Sequence, residues 1–274
     1  MTATAEATLA HVASADGTMI AVFISGAGRP LVAVHGTASD HTTWRLAQPL
    51  LEPHVAVHAV DRRGRGSSGD GPAYRLAMEY ADVAAVVDAA AAASGGPVDL
   101  LGHSYGGVVA FGAATLTSNV RKLVLYEGWP VPDIARFAVP PDVTGRLESL
   151  LTQGHPGQML ETFYRDIAMM SGQEISGLKA SPAWPARVAA ARTVPRELRA
   201  LGGQALDPGC AAKITMPVLF LVGADSSEQI KADPDAVAAA LPDARITIVQ
   251  DQAHIAHLTG PEPFAQAVIS FLRD

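Results

Sequence analysis

Five residues carry the first chemical signal in this chain: Gly102, His103, Ser104, Tyr105 and Gly106. A serine with glycine two positions before and two after can sit on a turn too tight for bulkier neighbours, its hydroxyl projecting outward. The apolar run 98–101 precedes this turn and the Ala/Val-rich run 104–117 follows it, so it joins a strand to a helix. There the Tyr105 N–H stands at a helix N-terminus with no intrahelical acceptor, free to donate to a developing oxyanion. Ser104 is thereby a candidate nucleophile, but a hydroxyl is a weak one until a base takes its proton. His254, after the last apolar run, supplies an imidazole, the side chain suited to that task near neutrality. His257 competes for the role and would share a face with His254 in a helix. A second oxyanion donor is expected where Val34-His35-Gly36-Thr37 ends an earlier apolar run: Gly36 permits close backbone approach, and the N–H of Gly36 or of Thr37 would donate.

These residues need a scaffold, and the rhythm of the chain describes one. Short β-rich runs at 8–13, 19–25, 31–34, 54–60, 98–101, 121–126, 218–222 and 246–249 alternate with helical runs at 42–51, 76–93, 104–117, 233–241 and 261–272. That alternation reads as an α/β fold, a mostly parallel doubly wound sheet with helices on both faces. From 128 to about 215 the rhythm breaks. Prolines multiply, Trp129 and Trp184 occur, and helical pieces at 146–151 and 157–169 suggest an inserted helical cap. The expected division is core 1–127, cap 128–215 and core 216–274. Trp129, Phe163 and Trp184 are the cap's candidate substrate contacts, in a segment that also holds Phe137, Tyr164, Met169 and Met170.

The stretches HGTASDHTTW, DRRGRGSSG, LLGHSYGG, LVLYEGW, PVLFLVGADS and QAHIAHLTGPEPFAQAVISFL cover nearly the whole chain. Together they resemble the α/β-hydrolase superfamily, in its serine-nucleophile, esterase- or lactonase-like form with a cap. The resemblance implies the chain order nucleophile, acid, histidine, and it implies a structural role for the loop beginning at Asp61. It leaves the acid open. The usual pattern places Asp three residues after the glycine that ends the strand 218–222. Here that position is Ser226, with Asp225 one residue early and turned toward the opposite face by strand alternation. Glu127, at the end of the strand 121–126, is the other candidate. Zearalenone-type lactonases and one subgroup of haloalkane dehalogenases are similar in using a glutamate there. Both carboxylates lie at strand carboxyl ends, where open α/β sheets collect their catalytic groups.

A serine at 104 suits acyl transfer, whereas the dehalogenases and epoxide hydrolases of the superfamily carry aspartate at that place. The expected reaction is hydrolysis of an ester or lactone of a hydrophobic small molecule through an acyl-enzyme on Ser104. The alternatives are C–C bond hydrolysis, cofactor-free cyclisation or perhydrolysis on the same residues, and a low-turnover ligand-binding protein. No cofactor or metal is expected: no phosphate-binding glycine loop or metal-ligand cluster stands out, and His41 and His54 read as structural. The chain of 274 residues has a formal net charge of −7 and no basic run beyond Arg62, Arg63 and Arg65, against a nucleic-acid partner. Its single cysteine, Cys210, excludes an intrachain disulfide. The first ten residues lack a basic start and an apolar core, and no apolar run is long enough to span a bilayer. The expectation is a cytoplasmic protein without membrane partners, its oligomeric state open, a homodimer included.

Overall fold

The structure, a computed structural model, describes residues 7–130, 141–201, 207–231 and 234–274. An antiparallel pair opens the chain, β1 (Thr8–Ala13) and β2 (Met19–Gly26), followed by β3 (Pro30–Val34), α1 (Gln48–Leu51) and β4 (Ala56–Val60). Then come α2 (Leu76–Ser94), β5 (Val98–His103), α3 (Tyr105–Ala114) and β6 (Val120–Tyr126). The helices α4 (Pro141–Thr152), α5 (Pro156–Asp166), α6 (Gly172–Ala180), α7 (Trp184–Ala190), α8 (Val194–Leu201) and α9 (Pro208–Ala211) separate β6 from β7 (Val218–Gly223). The chain closes with α10 (Glu228–Lys231), α11 (Pro234–Ala238), β8 (Ala244–Val249), α12 (Ala256–Thr259) and α13 (Pro261–Arg273).

The eight strands form one sheet in the order β1-β2-β4-β3-β5-β6-β7-β8, parallel from β4 to β8. The central strands β3, β5, β6 and β7 are almost wholly buried because helices cover both faces. Side-chain alternation divides the core. Val32, Val34, Leu100, Leu123, Leu125, Phe220 and Val222 face α2 and α3. Leu31, Ala33, Leu101, Val124, Tyr126, Leu219 and Leu221 face α1 and α13. The apolar stripe of α13, Phe264, Ala265, Val268, Ile269 and Leu272, recurs at helical spacing and fills the second face. A third apolar cluster, Leu147, Leu160, Phe163, Tyr164, Leu178 and Val194 among its members, joins the helices between β6 and β7. It also takes in Ala38 and Ile255, so those helices rest on the carboxyl edge of the sheet.

Two elements differ from expectation. The run 42–51 is broken into a 3-10 turn, His41–Trp44, and the short α1. The Asp40 side chain caps the turn by accepting from the Thr42 N–H, and Pro49, which has no N–H, fits only the first turn of a new helix. The run 233–241 is helical only over Pro234–Ala238 in its described part, and Pro242 disfavours helix in the residue before it. Phe137 lies outside the described residues. No described helix is long and apolar enough to cross a membrane.

Candidate active site

Ser104 sits between β5 and α3 with φ 54° and ψ −127°, a conformation L-residues rarely adopt and one that costs on the order of 1–3 kcal/mol. The packing around the turn holds it there. A Cβ on Gly128 would stand 1.7 Å from the Ser104 carbonyl oxygen, so only glycine admits the neighbouring strand end this close. A Cβ on Gly36 would stand 3.0 Å from Ser104 Cβ, which brings the loop after β3 against Ser104. Ser104 N–H donates to the Tyr126 carbonyl at 2.8 Å, tying the turn to β6.

His254 and Glu127 meet beside it. Glu127 follows β6, is buried, and holds a left-handed backbone, φ 45°. Its Oε2 lies 2.7 Å from His254 Nδ1. Its Oε1 accepts the Gly223 N–H at 2.7 Å and the Ser226 hydroxyl. Asp225, by contrast, is exposed and makes no hydrogen bond to His254, and the inward position belongs to Ser226. The His254 loop is pinned on the face carrying Tyr126. His103 Nε2 donates to the His254 carbonyl at 2.8 Å, Tyr126 Oη donates to the Ala253 carbonyl, and the same Oη accepts from the Ala256 N–H at 2.7 Å. His257 begins no shared helical face with His254: α12 starts at Ala256, and His257 is fully buried with Nε2 3.0 Å from Thr43 Oγ1.

The candidate oxyanion donors lie on the loop after β3 and at the start of α3. Arg62 Nη1 donates to the carbonyls of His35 at 3.3 Å and Gly36 at 3.1 Å, and His35 Nδ1 lies 2.8 Å from the same Gly36 oxygen. In a trans peptide the Thr37 N–H points opposite to that carbonyl, away from Arg62. Tyr105 is the first residue of α3, so its N–H has no intrahelical acceptor, while its side chain leaves the site for Tyr74 Oη at 2.7 Å and the Arg62 guanidinium. Arg62 is buried and paired with Glu79 at 2.6 and 2.8 Å and with Glu197 of α8 at 2.7 Å. The basic cluster of the sequence thus lies inside the protein.

Gly36, Thr37, Ser104 and His254 line one narrow cavity of about 30 Å³, together with Phe163, Met170, Leu178 and Ile255. Thr43 and Arg187 line it too, and neither residue type nor spacing marks them in the sequence. Nothing in the alanine-rich α7 distinguishes Arg187 from a surface arginine until its burial is seen. Trp129 and Trp184 stand elsewhere. The Trp129 ring packs edge-on against Phe220, 5.4 Å between centroids, in the core facing α2 and α3. Trp184 begins α7 and packs among the helices between β6 and β7. Among the described residues no cluster of three or more His, Cys, Asp or Glu could hold a metal ion.

Three imidazoles around the site, His35, His103 and His257, are fully buried, and burial holds each well below the ordinary imidazole range. In the unfolded chain they titrate near 6.5. Below that pH the unfolded state binds protons that the folded state refuses, so stability present above about pH 6.5 is lost as pH falls. Each group contributes up to about 1.4 kcal/mol per pH unit. A urea midpoint markedly lower at about pH 5.5 than at about pH 7.5 is expected. Glu79, held down to about 2 by Arg62 and Arg65 against the opposing effect of burial, contributes nothing in that window. Equal midpoints would mean that these rings accept protons in the folded state.

Comparison with known proteins places this geometry among relatives. The profile of the alpha/beta hydrolase family matches residues 31–267. The (E)-2-((N-methylformamido)methylene)succinate hydrolase of Acinetobacter baylyi is 26% identical over 91% of this chain and 92% of its own length. The N-formylmaleamate deformylase of Pseudomonas putida is 31% identical over 50% of this chain, and the matched part is 52% of that protein. Among solved structures, an alpha/beta hydrolase from Sphaerobacter thermophilus superposes with a TM-score of 0.81 at 32% identity, over 96% of this chain and all of the other.

Proposed function

Because the chain belongs to the alpha/beta hydrolase family and is a hydrolase, we propose that it cleaves a small acyl compound, an ester or lactone, through an acyl-enzyme on Ser104. The observation that carries this reading is the buried Glu127–His254 pair, 2.7 Å apart, beside a serine held at positive φ on the wall of one cavity. In this mechanism His254 takes the Ser104 proton as the hydroxyl attacks the carbonyl carbon. Glu127 holds the Nδ1–H tautomer and stabilises the imidazolium. The N–H groups of Thr37 and Tyr105 receive the oxyanion. Collapse of the tetrahedral species expels the alcohol, which takes the proton from His254. Water, deprotonated by the same ring, then attacks the acyl-enzyme and frees Ser104.

The helices from α4 to α8 act as a cap in this reading, laying Phe163, Met170 and Leu178 over the nucleophile and favouring an apolar substrate body. A second reading, cleavage of an acyl C–N bond, is favoured by the names of two relatives, a deformylase and a hydrolase of a formamido compound. The same residues serve it, with His254 protonating a nitrogen leaving group.

A neutral organophosphate, diethyl p-nitrophenyl phosphate, tests the shared core of both readings. It is expected to abolish hydrolysis of short p-nitrophenyl esters and to leave one diethylphosphoryl adduct, found by peptide mass spectrometry on Ser104. Undiminished hydrolysis, or an adduct on another residue, would refute the assignment. A panel of matched esters and N-formyl amides separates the two bond types.

A further inference from the structure

Four arginines are buried among the described residues: Arg62, Arg63, Arg65 and Arg187. The first three are matched by carboxylates: Arg62 by Glu79 and Glu197, Arg63 by Asp82, Arg65 by Glu197. Arg187, only 6% exposed, has none among the described residues. Its Nη1 donates to the Ala38 carbonyl at 3.3 Å and to Tyr164 Oη at 3.4 Å, and its Nη2 to Thr43 Oγ1 at 3.1 Å. These acceptors are neutral and the bonds long. Its Nε is buried without an acceptor among the described residues. A guanidinium so placed has lost its water without gaining a counter-ion, an arrangement that destabilises a fold unless something else supplies the charge.

What remains open beside Arg187 is the cavity it shares with Ser104 and His254. The other charged or titratable groups there do not answer it. His257 and His103 are neutral rings, and burial followed by the Arg187 charge holds His257 well below the ordinary imidazole range. Glu127 is committed on both oxygens to His254, Gly223 and Ser226. The rest of the wall is largely apolar, with Phe163, Met170, Leu178 and Ile255. A planar guanidinium with free N–H groups in a largely apolar pocket is the receptor that a single carboxylate fits best.

We propose that Arg187 is the carboxylate receptor of this cavity, and that the hydrolysed compound is a small organic acid whose carboxylate lies in the same pocket as the acyl bond. Thr43 is its positioning partner, since its hydroxyl both accepts from Arg187 and meets His257. This rests on the reading of Ser104 as the residue that is acylated. It narrows the substrate from an apolar ester to one that is apolar in its body and anionic at one end.

The test uses a substrate-independent readout. Ser104 is phosphorylated with neutral diethyl p-nitrophenyl phosphate, and the rate is measured with increasing pentanoate or with pentanamide, its uncharged isostere. Each rate is normalised to the same protein's uninhibited rate. In the wild-type protein pentanoate is expected to protect at concentrations at least about tenfold lower than pentanamide, a loss typical when a charge-assisted bond is removed. Arg187→Gln should abolish that preference, and Arg187→Lys should retain part of it. Equal protection by acid and amide in the wild type, or a preference that survives Arg187→Gln, would overturn the proposal. The wild-type comparison decides even if a variant does not fold. No phosphorylation of Ser104 in the wild type would instead overturn the acyl-enzyme reading, and this proposal with it.

Discussion

Ser104→Ala is expected to lower kcat for ester hydrolysis by about 10⁴ to 10⁶, the loss seen when a triad nucleophile is removed and only binding and oxyanion stabilisation remain. The fold should not notice. Alanine keeps the Cβ, so the φ of 54° and its cost are the same in both proteins, and no side-chain hydrogen bond of Ser104 supports the turn. Thermal unfolding of the variant should therefore match the wild type, and the loss should lie in kcat rather than KM. A variant that folds and retains a tenth of the wild-type turnover would show that another group is the nucleophile.

Glu127→Gln should be nearly as damaging, with kcat reduced by roughly 10⁴, and the reason is a constraint on the amide. Gly223 N–H can only donate, and it donates to Oε1 at 2.7 Å. A glutamine here must keep its carbonyl oxygen toward Gly223, which turns its NH₂ toward His254 Nδ1. Two donors cannot face each other, so the ring proton moves to Nε2, the nitrogen that must be free to take the Ser104 proton. Reversing the amide only moves the conflict to Gly223. Asp225→Asn, at an exposed side chain with no bond to His254, should change kcat by less than about twofold. The comparison is steady-state kinetics on both variants, each checked by circular dichroism. An inactive Asp225→Asn beside an active Glu127→Gln would reverse the roles.

The parts of this architecture readable in the sequence are those written in local pattern. Glycines two before and two after Ser104, between an apolar run and an Ala/Val-rich one, need no long-range information. The alternating β and α runs likewise specify the doubly wound sheet that the structure has. What the sequence left open depends on direction at the ends of strands. Asp225 and Ser226 differ by one residue, and only the packed register shows that the hydroxyl points inward and the carboxylate outward. Aromatic content marks the helical segment without saying where each ring goes, and Trp129 turns away from the cavity to Phe220. Arg187 is invisible for the same reason. Burial without a counter-ion is a property of the fold around a residue, not of its neighbours in the chain. The split of 42–51 follows from Pro49, whose missing N–H outweighs the apolar spacing and fits only a helix's first turn.

The contact between Ser226 and Glu127 has a consequence for how such sites change over generations. In the proposed reading Ser226 occupies the position where the resemblance to the superfamily puts aspartate, and its hydroxyl donates to the Glu127 carboxylate that would take that role. The two strand ends are therefore alternative seats for one negative charge. Substituting Ser226→Asp alone would crowd two carboxylates into a buried spot, where one must hold a proton. Removing Glu127 alone would leave the imidazole with no anion. A lineage moving between the two arrangements must cross one of these poor intermediates, or change both codons together.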